Sequence, residues 1–258
     1  MLLLLPPSEG KLAPTNGDPL DLPELSFHEL TTTRRQVIRE LIKLSSGGQK
    51  RALLVLGLSG GQVAELAANS ELETAPAAPA REVYSGVLFE ALRLNELNAD
   101  DAQLATERIA ITSSLFGLLR PGDLIPTYRL SGSVTLPRIG KVSAHWRKAL
   151  TRTTPDALED ELIVDFRSGT YVSFWPIPKG REDSALTVKI WQQGANGAKT
   201  AVSHHNKATK GKLARALAVA REDLRSPAEV AEYARGSGWD VSLEHDAKLG
   251  HARLDVLI

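Results

Sequence analysis

The chain has 258 residues, enough for one large domain or two small ones around a substantial core. Lysine plus arginine number 31 and aspartate plus glutamate number 31, so the net charge is zero; a polycation coating nucleic acid indiscriminately is excluded, and any anion-binding role is confined to a local patch. Cysteine is absent, which excludes disulfides, thiolate metal sites, a cysteine nucleophile and thiol redox sensing.

In chain order, the run 2–5 is four leucines closed by Pro6 and Pro7, the pattern of a short strand buried on both faces. It is too brief, and lacks the basic start, for a signal peptide, and no stretch nears the roughly 20 apolar residues needed to cross a bilayer; the expectation is a cytoplasmic protein without a membrane. Residues 6–23 read as an irregular loop. Residues 31–44 form a helix with Val37, Ile38, Leu41, Ile42 and Leu44 on its apolar stripe and Arg34, Arg35, Arg39 and Lys43 expected on a basic outer face. Helices over 49–56 and 61–69 follow, joined by Gly57-Leu58-Ser59-Gly60, and 73–80 reads as a surface connection. A helix ending at 102–107 leads to a second buried strand over 108–113 and then a loop over 117–126. Further along, the pattern predicts a helix at 142–151 and strands at 162–166 and 171–175 around Ser168-Gly169. A hairpin of 186–192 with 199–204 turns at Gly194 to Gly197. Helices at 207–224 and 227–235, the latter capped by Ser226, and a terminal hairpin of 239–244 with 252–257 complete the chain. Strict strand–helix alternation, internal repeats and a domain-splitting linker are all missing, so the expected fold is one α+β domain over residues 1–258, with a mixed sheet and surrounding helices.

Four segments concentrate chemistry that a bare scaffold does not need. In the first, Ser8, Glu9 and Lys11 follow the first strand, at the carboxyl end where sheets commonly place ligand sites, and Gly10 permits close backbone approach to an anion. The spacing is not that of a phosphate-binding P-loop, and the competing reading is a proline-stiffened turn with solvated charges. In the second, residues 113–129, Arg120 and Arg129 offer planar forks for phosphate or carboxylate, Asp123 can orient one of them and Tyr128 can donate a hydrogen bond; the plainer reading is an Arg-Asp pair stapling a loop. In the third, Lys207, Lys210, Lys212 and Arg215 fall in one helical stretch with no acid among them, with Gly211 on a face expected to approach a ligand. The adjacent His204 and His205 have no nearby carboxylate, and no metal site is expected. In the fourth, Gly57 and Gly60 lie in a turn that can present backbone N–H groups to phosphate as in a helix-hairpin-helix, within 31–70, although an ordinary helical connection needs glycine too. Asp165, Arg167, Ser168 and Tyr171 form a weaker polar edge. A triad of Ser168, His204 and Asp165 lacks the G-x-S-x-G elbow and is set aside.

At these segments the sequence resembles the peroxide stress protein YaaA family. The resemblance runs through LLLLPPSEGK at residues 2–11, Val83-Tyr84-Ser85-Gly86, the stretch SSLFGLLRPGDLIPTYRL at 113–130, residues 168–171 and residues 206–215, in family order. It implies a cytosolic single α+β domain, a role in limiting peroxide damage, and DNA binding through a positively charged cleft with a helix-hairpin-helix element. Lys11 falls on the lysine of the first motif, Arg120, Asp123, Tyr128 and Arg129 on the central motif, and Lys207, Gly211 and Arg215 in the basic segment. The sequence departs from the family pattern at His204-His205, where aromatic residues are common, and in its basic run.

Two functions of different class follow. One is a DNA-binding stress protein, for duplex or distorted DNA, collecting phosphates with Ser8, Lys11, Arg120, Arg129, Lys207, Lys210, Lys212 and Arg215. The other is a cofactor-independent enzyme acting on a small anionic, nucleobase-like or purine-like ligand, with Asp123, Tyr128 and Lys11 as its acid–base set. Sequestration of iron or peroxide ranks last, since the six histidines show no ligand spacing. No cofactor and no protein partner are inferred.

Overall fold

The computed structural model of the protein describes residues 1–159, 161–181, 183–193, 199–200 and 204–258. Leu2–Leu5 (β1) is fully buried, as a run of leucines without alternation requires. Removing each such side chain from water contributes roughly 1.5–3 kcal/mol. β1 lies inside a mixed sheet with Ile109–Ser113 (β2), Gly117–Leu119 (β3), Ile163–Asp165 (β4), Ala185–Gln193 (β5), Val241–Asp246 (β6) and His251–Leu257 (β7). The order is β6-β7-β5-β4-β1-β2-β3, with Lys199–Thr200 pairing additionally on β5. β1 runs parallel to both neighbours, with Leu3 opposite Ile109 and Leu4 opposite Asp165. β4, β5 and β7 continue the parallel set, and the edge strands β3 and β6 run antiparallel to their partners. The helices surround this sheet in an α+β domain.

The parallel core decides where loops emerge. The carboxyl ends of β1, β2 and β4 face one side, so the segments after Leu5, Ser113 and Asp165 meet there although far apart in sequence. Ala99–Arg108, capped by the Asn98 side chain accepting from the Asp101 N–H at 3.0 Å, feeds directly into β2. Pro227–Gly236 begins as expected, with Ser226 and Glu229 closing a capping box and Pro227 in the first turn.

Several expectations needed correction. Arg34 is not on an outer basic face of the helix Thr31–Ser45; it is 0% exposed. Its guanidinium donates to the carbonyls of Phe116 (2.9 Å), Leu118 (2.8 Å) and Ser26 (2.6 Å), supplying donors that the edge strand β3 lacks on its open side. The stretch 117–126 is not simply a loop, since it contains β3 and Leu124–Ile125, which pairs with Ala78–Pro79 and so ties down part of the presumed surface connection. Residues 171–175 are not a strand. Gly169–Phe174 is a 3₁₀ helix, because Arg167 draws the carbonyls of Trp175 (2.9 Å) and Tyr171 (3.4 Å) to its guanidinium. The basic helix runs His204–Ala218, so His204 starts a helix rather than ending a strand, and the helix stops short of Leu224. Arg108 ends it by donating to the carbonyls of Ala218 (3.4 Å) and Ala220 (2.5 Å). The hairpin turn expected at Gly194 to Gly197 lies outside the described residues.

The two helices joined by the glycine turn are Gln49–Leu56 and Val63–Ser70, the second preceded by a 3₁₀ turn, Gly60–Gln62. They bend by 105° at the connection. Gly57 sits at φ 67° and the Leu58 N–H donates to the Leu53 carbonyl at 2.8 Å, so the glycine closes the first helix in the left-handed conformation that a side chain would strain. Among the described residues no single helix is long and apolar enough to cross a membrane.

Candidate functional site

The loop after β1 returns beside Tyr84: Lys11 forms a β-bridge with Tyr84, and the Leu12 N–H donates to the Val83 carbonyl at 2.8 Å. Ser8 stiffens the loop, its hydroxyl donating to the Gly10 carbonyl at 2.5 Å and accepting from the Ser85 N–H at 3.2 Å. This geometry places the Lys11 ammonium 4.2 Å from the Tyr128 ring centroid and 5.4 Å from that of Tyr84, while it donates to the Ser8 carbonyl at 2.9 Å. Burial lowers its pKa to about 8, reinforced by Arg129 and opposed by Glu9.

Beside the ammonium runs a hydroxyl chain. Tyr84 and Tyr128 are joined through their oxygens at 2.8 Å, Tyr128 meets the Ser113 hydroxyl at 2.9 Å, and the Phe116 N–H donates to Ser113 at 3.0 Å. Burial raises both phenols, which keeps them protonated at neutral pH. Arg129 closes the site from the other side. Its guanidinium meets the Glu9 carbonyl and carboxylate, each at 2.9 Å, and the wholly buried Asn69 clamps its backbone through two hydrogen bonds of 2.8 Å. Glu9, Arg129 and Gly57 border a groove of about 600 Å³.

The sequence candidates thus fall into groups. Ser8, Lys11, Tyr128 and Arg129 converge, with Gly57 on the adjoining groove. Arg120 and Asp123 do not join them. The Arg120 guanidinium donates to the carbonyls of Glu107 (2.5 Å) and Ile109 (3.1 Å), at the opposite end of β2 from Ser113, and stacks 5.0 Å from the Phe27 ring. Asp123 accepts from the Ser26 hydroxyl (2.7 Å) and from the N–H groups of Ser26 (3.0 Å) and Arg120 (2.8 Å), so its oxygens close a turn. Arg215 donates to the carbonyls of Leu92 and Arg93 at the end of the helix Val87–Leu92. Gly211 does not face a ligand: a Cβ there would overlap the Leu88 carbonyl, so the glycine lets two helices touch. Lys207 and Lys212 are exposed, whereas Lys210 is 7% exposed and donates to the Phe166 carbonyl at 2.9 Å. Gly60 opens the 3₁₀ turn and makes no contact with the Lys11 group in the hydrogen-bond network. Among the described residues, no cluster of three or more His, Cys, Asp or Glu side chains is arranged to hold a metal ion.

The model of one family, the peroxide stress protein YaaA, matches residues 1–244, spanning every strand and helix that builds this site. The chain belongs to that family. Its relatives include a UPF0246 protein of Streptomyces coelicolor, 44% identical over 100% of this chain and 98% of the relative. A UPF0246 protein of Corynebacterium efficiens is 43% identical over 96% of this chain and 97% of its own length. An uncharacterised protein of Campylobacter jejuni is 27% identical over 83% of this chain and 82% of its length.

For the YaaA family member in hand, the segments that carry the resemblance split between two jobs. Lys11, Tyr84, Tyr128 and Arg129 build the cluster, whereas Arg120, Asp123, Gly211 and Arg215 brace the fold around it. Tyr84, Ser113 and Asn69 escaped assignment from sequence. A signal existed for the first two, since Tyr84 lies in the motif Val83 to Gly86 and Ser113 ends a buried strand beside Tyr128; for Asn69, at the end of a helix, none did.

Proposed function

We propose that this YaaA-family protein acts in peroxide stress as an acid–base enzyme on a small anionic or nucleobase-like molecule bound at the carboxyl ends of β1 and β2. The observation that carries the reading is the Lys11 ammonium, stacked 4.2 Å from Tyr128 with a pKa of about 8. A plain phosphate contact needs no such tuning, whereas a group that must both hold and release a proton near neutrality does. Lys11 is the proton carrier, the Tyr84–Tyr128–Ser113 chain donates a hydrogen bond to the reacting molecule, and Arg129 takes the anionic end. No cofactor enters the proposal, and Asp123, placed elsewhere, has no part in it.

The test is turnover of a panel of purines, nucleosides and nucleotides, including oxidised forms, followed by mass spectrometry, together with amine-labelling of the protein with and without each compound. Some compound should be consumed by the wild type but not by Lys11→Met, and should shield Lys11 from the label. If nothing in the panel is consumed and nothing shields Lys11, the reading is wrong.

DNA binding is a second reading, favoured by the exposed Lys207 and Lys212 on the helix His204–Ala218 and by Arg129 and Gly57 on a shared groove. Fluorescence anisotropy with single-stranded, duplex and junction DNA at two salt concentrations tests it. Binding that weakens steeply with salt and is lost in a Lys207→Ala, Lys212→Ala double variant supports it; absence of binding at low salt removes it.

A further inference from the structure

A second cavity, of about 480 Å³, lies over β4 and β5 beneath the basic helix, a volume suited to a small organic ligand. The 3₁₀ helix Gly169–Phe174 borders it, with Val172 on the cavity wall, and the Lys11 cluster contributes none of the lining residues. Its polar groups are unevenly matched. Asp165 is held by Arg167 through contacts of 2.9 and 2.8 Å; burial works against the carboxylate charge, but the guanidinium outweighs it and holds the pKa below the usual range. That pair is internally neutral. Lys189 answers Asp246 at 3.4 Å, and His251 meets Thr187 at 2.8 Å.

One buried cation remains under-used. Lys210 brings three N–H groups into a site where its recorded hydrogen bond is the one to the Phe166 carbonyl. The Trp191 ring lines the same wall, while its indole N–H is closed to solvent and has no acceptor among the described residues. Most of the wall surface around the ammonium is apolar, and two of the lining residues, Val172 and Leu249, are large hydrophobic side chains left exposed at 36% and 39%. The combination is a buried cation with N–H groups to spare, an aromatic wall and an apolar mouth.

We propose that this cavity is a second binding site, distinct from the Lys11 cluster, for a planar aromatic molecule carrying a carboxylate or phosphate, with Lys210 taking its polar end and Val172, Ile177, Leu249 and the Trp191 ring lining the space for its ring. The anion supplies acceptors for the remaining Lys210 N–H groups, and the ring covers apolar surface that water otherwise meets.

Calorimetric titration of the full chain with naphthoate, naphthyl phosphate and the neutral naphthamide tests this. At least one anion should bind with a Kd of about 1 mM or tighter, and naphthamide about tenfold more weakly. The preferred anion identifies the head group as carboxylate or phosphate. Lys210→Met should weaken anion binding about tenfold, Val172→Trp should obstruct the mouth and abolish it, and Lys11→Met should leave it unchanged, which separates this site from the one proposed above. Failure of both anions to bind the wild type, equal binding of anion and amide, or undiminished binding in folded Lys210→Met overturns the assignment. If Lys210→Met does not fold, Val172→Trp, at a solvent-exposed position, decides alone, and unchanged binding there overturns it.

Discussion

Lys11 is kept from bulk water by two aromatic rings and a single carbonyl, and that changes how the protein responds to pH. The unfolded lysine keeps its proton until about pH 10.5 and the folded one until about 8, so between these values the unfolded state binds more protons and wild-type stability rises with pH. Holding the charged form in the fold near pH 7 is therefore a cost. Lys11→Met, which keeps the aliphatic length, should be more stable than wild type at pH 7 by roughly 1 kcal/mol, and the difference should shrink as pH passes 8 and approaches 10. Urea unfolding of both proteins at the two ends of that window measures it; a difference that widens with pH would contradict the assigned burial. Asp123, by contrast, holds the fold together through its hydrogen bonds. Its oxygens satisfy one hydroxyl and two backbone N–H groups, so Asp123→Ala should cost about 1–3 kcal/mol in denaturant unfolding and leave ligand protection of Lys11 unchanged.

Elements are joined here by arginines that cap carbonyls and by a glycine that permits contact. Arg34 reaches from the helix Thr31–Ser45 to the open edge of β3, and Arg34→Met would keep the packing while removing the guanidinium bonds to the Leu118 and Ser26 carbonyls and leaving the Phe116 carbonyl only the Leu118 N–H. The expected loss is about 3 kcal/mol, with amides of β3 and the preceding turn exchanging faster in hydrogen-exchange experiments. Gly211→Ala places a methyl group against the Leu88 carbonyl and the Ala91 side chain, forcing Val87–Leu92 and His204–Ala218 apart. Overpacking of this kind costs about 1–3 kcal/mol, and because Lys210 precedes Gly211 the shift should also disturb the second cavity. A thermal melt shows the first effect. Much of this level was readable from sequence: the helix beginning at Pro227 follows from Ser226, Pro227 and Glu229, and β1 from uninterrupted leucine. Arg34 was misread because helical periodicity assigns a charged residue on the border of the apolar stripe to solvent, and only a nearby sheet edge with unpaired carbonyls reverses that.

At the scale of the whole molecule, equal numbers of acids and bases hide a local sorting in which several cations never reach solvent. Arg34, Arg167 and Lys210 are buried among carbonyls and one carboxylate, so a count of basic residues in the sequence overstates the charge available to an external polyanion. Any DNA affinity should accordingly show a salt slope set by the few exposed groups on the helix His204–Ala218 and by Arg129, well below that expected from seven phosphate-binding cations. Composition and pattern alone determined the absence of thiol chemistry, the buried leucine strand, the α+β class and the segments in which chemistry is concentrated. Which members of those segments meet was decided by tertiary structure, because parallel strands carry the ends of β1, β2 and β4 to one side of the sheet. Lys11, Tyr128 and Arg129 meet there, whereas Arg120 and Asp123, close to Tyr128 in sequence, turn back to the far end of β2. Nearness along the chain carries no information about which end of a five-residue strand a side chain will reach; strand direction and register do.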